Sequence, residues 1–138
     1  MSVLLDTNIF LDVLLNRETW ADESQAIIDW CDQRPGEGWI AWHTLANLYY
    51  IGTKAVGRKA ALRQVDAILE VFAVCPAHTE SARFARRLGL SDFEDALQVA
   101  SASEAGVDWI VTRNFKDFKG SPIPAILPRE FLRRQGTG

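Results

Sequence analysis

Apolar positions in this chain alternate between two textures. Short continuous runs occur at Val3-Leu4-Leu5, Trp39-Ile40-Ala41-Trp42, Val71 to Cys75 and Trp109-Ile110-Val111. Between them, apolar residues recur every third or fourth position. The runs read as buried strands and the spaced stretches as helices with one apolar face. The spacing predicts helices over 9–16, 20–31, 43–54, 58–70, 79–88 and 92–105, with a last helical turn from Pro128 through Leu132. Ala125 to Leu127 is expected to add a short final strand.

The punctuation agrees with these elements. Arg34-Pro35-Gly36-Glu37-Gly38, Val56-Gly57, Gly89 and Gly106 interrupt or end them. Thr79 is expected to cap one helix, and Ser91-Asp92-Phe93-Glu94 matches a capping box with Ser91 at the cap. Strands alternating with helices throughout predict an α/β fold of three layers, with a mostly parallel sheet. Residues 1–132 read as one domain, and 133–138 as a polar, disordered tail.

Composition narrows the function classes. A chain of 138 residues with 48% hydrophobic residues supports a real core. A net charge of -3 argues against holding a polyanion by overall charge. Cys31 and Cys75 lie in apolar surroundings and read as buried thiols. No apolar run approaches a membrane span, and no basic region precedes the first one, so neither an anchor nor a signal peptide is expected and a cytoplasmic protein is.

The candidate chemistry is carboxylate chemistry. Asp6-Thr7-Asn8 follows the first strand, at the edge where parallel sheets bind ligands. The competing role for Asp6 is to cap the next helix. Asp92 and Asp95 are three apart at a helix start, with Cβ atoms about 5–6 Å apart on one face. Helix-dipole complementation alone accounts for such a pair. Asn114 to Asp117 follow the fourth strand. If strands one and four are neighbours, these clusters share one crevice. Clustered carboxylates repel unless a cation compensates, and hard oxygen ligands suit Mg²⁺ or Mn²⁺. Such a cation lowers the pKa of water and stabilises charge on a phosphodiester oxygen.

Other chemistry has little support. There is no phosphate-binding G-x-x-x-x-G-K-[ST] and no G-x-G-x-x-G. His43 and His78 have no His or Cys at a ligand spacing and read as helix-start residues. Trp39, Trp42, Tyr49 and Tyr50 read as core or dimer interface, and Arg58, Lys59, Arg63, Arg83, Arg86 and Arg87 as solvated faces.

Three segments carry a family resemblance: Leu4-Leu5-Asp6-Thr7-Asn8-Ile9-Phe10-Leu11-Asp12, Asp95-Ala96-Leu97-Gln98-Val99-Ala100-Ser101-Ala102 and Ile110-Val111-Thr112-Arg113-Asn114. In this order and spacing the chain resembles the PIN-domain proteins, the fold of VapC-like toxin ribonucleases. Thr44 to Tyr50 and Asp92 to Asp95 resemble a subfamily with an altered acidic pattern. The resemblance implies strand order 3-2-1-4-5, acids around one or two Mg²⁺ or Mn²⁺ ions, and endonucleolytic attack on RNA. It also implies a homodimer and an antitoxin partner. Asp6 matches the family's first acid and Asp95 its third. The second and fourth acids fall at Asn47 and Asn114, where neutral amides stand. Asp92 and Asp117 are the expected substitutes, so the metal and catalytic set is Asp6, Asp95, Asp92 and Asp117. Thr7, Asn8, Asn47 and Asn114 are expected to support it through hydrogen bonds.

Two other readings compete. One is a PIN-fold module that binds RNA or protein without catalysis. The other is a phosphotransfer domain with Asp6 as nucleophile, which would want a second acid where Asn8 stands.

Overall fold

The structure, a computed structural model, describes residues 1–136. β1 (Val3–Leu5) leads into α1 (Thr7–Leu14) and α2 (Ala21–Asp32), and β2 (Gly38–Ile40) into α3 (Trp42–Val56) and α4 (Arg58–Val71). β3 (Ala73–Val74) leads into α5 (Thr79–Arg87) and α6 (Phe93–Ala105). β4 (Trp109–Val111) precedes a 3-10 turn (Phe115–Phe118), and β5 (Ala125–Ile126) precedes α7 (Pro128–Arg134). The sheet order is β3-β2-β1-β4-β5, as expected, and every pairing is parallel.

The period-two alternation of strand side chains builds the three layers. Val3, Leu5, Val111 and Ile126 point into one core, with Phe10 and Leu11 of α1, Ile27 and Trp30 of α2, Leu48 of α3, Ile68 of α4 and Phe131 of α7. Leu4 and Ile110 point into the other, against Val99 and Ala102 of α6. β1 is buried on both faces, which is why it reads as an unbroken apolar run. Edge-to-face pairs tie the first core together: Phe10 on Phe72 at 5.2 Å and Trp30 on Phe131 at 4.9 Å. At Gly38, a Cβ would fall 2.7 Å from the Phe72 ring, so glycine lets β2 and that ring approach.

Several boundaries differ from the sequence expectation. α1 starts at Thr7, not Ile9, because Asp6 is extended (ψ 148°) and the helix begins directly after it. Asp6-Thr7-Asn8 is therefore an N-cap and first turn. β2 ends at Ile40, and Trp42 opens α3 with its side chain 67% exposed. α4 runs through Val71, which shortens β3 to two residues. His78, not Thr79, is the N-cap of α5. Asp92, not Ser91, is the N-cap of α6. Tyr49 and Tyr50 are exposed on α3, whereas Trp39 packs in the second core. α7 takes in Arg133 and Arg134, the start of the expected tail, where both pair with Glu130. Residues 137–138 of that tail lie outside the described residues. Both cysteines are free and buried.

The register sets up the site. Leu5 is level with Val111 across β1 and β4. Asp6 and Thr112, the next residue on each strand, therefore emerge side by side at the carboxyl edge. Asp6 N donates to Val111 O at 3.0 Å, which continues the pairing by one step.

Candidate functional site

Asp6 occupies the N-cap position of α1, yet its side chain does not cap the helix. Both carboxylate oxygens turn inward. Gln98 Nε2 of α6 donates to Oδ1 at 2.8 Å, and Thr112 Oγ1 donates to Oδ2 at 2.8 Å. The carboxylate makes no capping hydrogen bond to α1, although the amides of Thr7 and Asn8 lie near enough to act on its charge. Asp6 is 3% exposed. Burial pushes its carboxyl up to about 6; the Thr112 hydroxyl opposes the rise, the Glu94 charge adds to it, and the amides of Asn8 and Thr7 oppose it.

The second group stands at the start of α6. Asp92 does cap this helix, since its Oδ1 accepts from Glu94 N at 2.8 Å and Asp95 N at 3.2 Å. The capping contact holds Asp92, Glu94 and Asp95 together. A ligand oxygen from each lies within 4.8 Å of the other two. Burial first, then the charges of Asp6, Asp92 and Glu94, pushes the Asp95 carboxyl up to about 8. A helix N-terminus favours acids. Here their mutual repulsion and burial outweigh it at Asp95. Donors made only of carboxylate oxygens fit a hard divalent cation, so this group suits the expected metal.

The structure thus joins Asp6, Asp92 and Asp95 in one electrostatic neighbourhood. Asp117 stands apart. It lies exposed in the 3-10 turn, with its N donating to Asn114 O at 2.9 Å, and is not among the leading influences on Asp6 or Asp95. Of the supporting residues, Thr7 Oγ1 shares a 2.9 Å hydrogen bond with Thr44 Oγ1 and accepts from Gln98 Nε2 at 3.4 Å. Asn8 sits in the first turn of α1, where its amide faces Asp6. Asn47 Nδ2 donates to Glu94 Oε1 at 3.4 Å. Asn114 N donates to Thr112 Oγ1 at 3.0 Å, so one hydroxyl links Asp6 to the loop after β4.

Sequence reasoning missed Glu94, Gln98, Thr112 and His43. The capping-box pattern assigns Glu94 to the backbone. Moving the cap to Asp92 frees its side chain, which meets His43 Nε2 at 3.2 Å. Gln98 is fully buried on an apolar helix face, and a polar residue at such a position is the signal by which it could have been found.

A family model for the PIN domain matches residues 2–116. VapBC2 from Rickettsia felis, bound to a DNA fragment from its promoter, is similar over 92% of this chain and 98% of that one, with a TM-score of 0.72 at 18% identity. A toxin–antitoxin complex from Klebsiella pneumoniae gives 0.68 at 23% identity, over 92% of this chain and 98% of that one. VapC20 from Mycobacterium tuberculosis, a sarcin-ricin loop cleaving toxin, gives 0.65 at 16% identity, over 79% and 87%. At these identities the likeness is one of fold. No curated protein matches by sequence.

Proposed function

The chain belongs to the PIN-domain family, and from that premise we propose that it is a divalent-metal-dependent endoribonuclease, the toxin of a toxin–antitoxin pair. One observation carries the reading. A buried Asp6 stands at the carboxyl edge of the sheet, its charge acts on a partly buried Asp95 at the start of α6, and both carboxyls are held well above their ordinary range. Acids so placed gain from a cation.

Asp6, Asp95 and Asp92 would hold Mg²⁺ or Mn²⁺, with Asp117 an auxiliary acid at the rim. When bound, the cation supplies positive charge at a phosphodiester oxygen and acidifies water for its hydrolysis. Gln98 and Thr112 keep the Asp6 carboxylate in one orientation. Thr112 also ties the Asn114 backbone to the site, where the Asn114 side-chain amide would meet the RNA phosphate or the acids. Thr7, Asn8 and Asn47 support the acids in the same way. The similar toxin–antitoxin complex supports an antitoxin partner, and a homodimer belongs to the same reading. Among the described residues no helix is long and apolar enough to cross a membrane, which accords with a cytoplasmic enzyme.

A second reading has an observation of its own. Both Asp6 oxygens are already engaged by protein donors, and Asn47 and Asn114 carry no charge. A PIN-fold module that binds RNA or protein without cutting fits those facts.

The deciding experiment is cleavage of a panel of tRNA, rRNA fragments and single-stranded RNA in Mn²⁺, with a chelator control. Metal-dependent cuts that vanish in a folded Asp6→Asn protein support the nuclease. Full activity in that variant would sink the site assignment. A wild type that neither cuts nor binds metal moves the reading to the binding module.

A further inference from the structure

Three N–H donors converge on one oxygen of Glu94. Nε2 of His43 lies 3.2 Å from Oε1, Nδ2 of Asn47 3.4 Å, and Nε2 of Gln98 3.5 Å. Against a carboxylate acceptor, the His43 nitrogen is the donor. Two of these residues come from α3 and one from the next turn of α6. A glutamate near a helix start ordinarily keeps its rotamer freedom in solvent. The fold does not need this one, because Asp92 already caps the helix. Holding Oε1 from the α3 side fixes Glu94 within the group it forms with Asp92 and Asp95, whose ligand oxygens lie within 4.8 Å of one another.

A second observation stands beside the group. Gln98 is fully buried, its amide nitrogen is spent on Asp6 and Glu94, and its Oε1 has no donor among the described residues. The Gln98 amide is held between the carboxylates of Asp6 and Glu94, and a buried carbonyl oxygen there without a donor is satisfied by a cation or by water.

We propose that Glu94 is a ligand of the cation at this site, and that His43 and Asn47 are the residues that position it. The proposal rests on the metal reading above and adds a carboxylate to it. Asn47 thereby gains a defined role, since its amide holds an acid supplied by another helix. A carboxylate introduced at position 47 would stand close to where Oε1 stands now.

The test is calorimetric titration of the full chain with MnCl₂, with melting curves to show that each variant is folded. Glu94→Gln keeps size and hydrogen bonding but removes the charge, and should weaken Mn²⁺ binding about tenfold or more. His43→Ala should weaken it roughly tenfold, and His43→Gln, which retains an N–H donor, should restore much of the loss. The double variant Asn47→Glu/Glu94→Gln should recover most of the wild-type affinity, which a merely structural role for Glu94 does not predict. Wild-type affinity in Glu94→Gln, while Asp95→Asn loses binding, overturns the assignment and leaves the metal reading standing. A folded double variant as weak as Glu94→Gln also overturns it. A wild type that takes up no Mn²⁺ at millimolar concentration overturns both.

Discussion

Gln98 Nε2 donates to Asp6 Oδ1 at 2.8 Å, across 92 residues of chain. This bond joins the helix that carries the acid group to the strand that carries the buried acid. Its loss leaves a buried carboxylate with one strong donor, Thr112, where it had two. A hydrogen bond to a charged group is worth about 1.5–3 kcal/mol. Gln98→Leu should therefore lower stability by about that amount in urea unfolding at pH 8. The loss should shrink near pH 5, where Asp6 is largely protonated. An equal loss at both values would show that the Gln98 contact does not depend on the Asp6 charge.

Asp12 gives a second prediction. It is fully buried, with Arg17 Nη1 at 3.1 Å, Ser24 Oγ at 3.0 Å and Arg113 Nε at 3.1 Å. The Arg113 contact is an ion pair whose angle falls short of a hydrogen bond. The Arg113 guanidinium also lies over the Trp20 ring, 5.2 Å from its centroid. Removing one partner of a buried pair strands the others, at a cost of about 3–5 kcal/mol. Asp12→Ala should lose stability in that range by denaturant titration. Because Arg113 sits between Thr112 and Asn114, the same variant should perturb the amide resonances of the loop after β4. A loss below about 1 kcal/mol, the scale of an exposed pair, would mean that solvent reaches and screens these charges.

Legibility in the sequence followed the range of the interactions. β1 and β4 were readable because a strand buried on both faces must be apolar throughout. The places of Asp6, Asp92 and Asp95 are legible because a strand end and a helix start are marked locally. The cap of α6 falls one residue beyond the Ser91 that the capping-box pattern marks, since Ser91 and Asp92 are equally good caps. The pattern gives Glu94 to the backbone, whereas its side chain faces the acid group. Glu94's partners on α3 lie 47 and 51 residues away, and Thr112 lies 106 from Asp6. Nothing local announces such contacts. Asp117 is the converse case: its place after β4 is legible from the run that precedes it, but not the 3-10 turn that leaves it exposed.

The cysteines give a prediction independent of the site. Burial pushes the Cys31 and Cys75 thiols up to about 12. A thiol, not a thiolate, then persists at pH 8, and both residues are buried. A disulfide-exchange reagent should find no reactive thiol in the folded protein and two after unfolding in denaturant. Reaction of either cysteine at the rate of a free thiol would show that its part of the core opens locally.

Metal and pH should be coupled through Asp6 and Asp95. Both acids start from 3.8 in the unfolded chain, and the fold raises them to about 6 and about 8. Between the unfolded and folded values the folded state binds more protons. Stability from these groups is therefore fully present below pH 3.8 and is lost as pH rises through about 6 and then about 8. In chelator, the melting temperature should fall from pH 5 to pH 8, and Asp95→Asn should flatten the fall. Mn²⁺ favours the ionised acids, so it should raise the melting temperature most at pH 8 and little at pH 5. If Mn²⁺ stabilises the protein equally at both pH values, the cation binds somewhere other than these two acids.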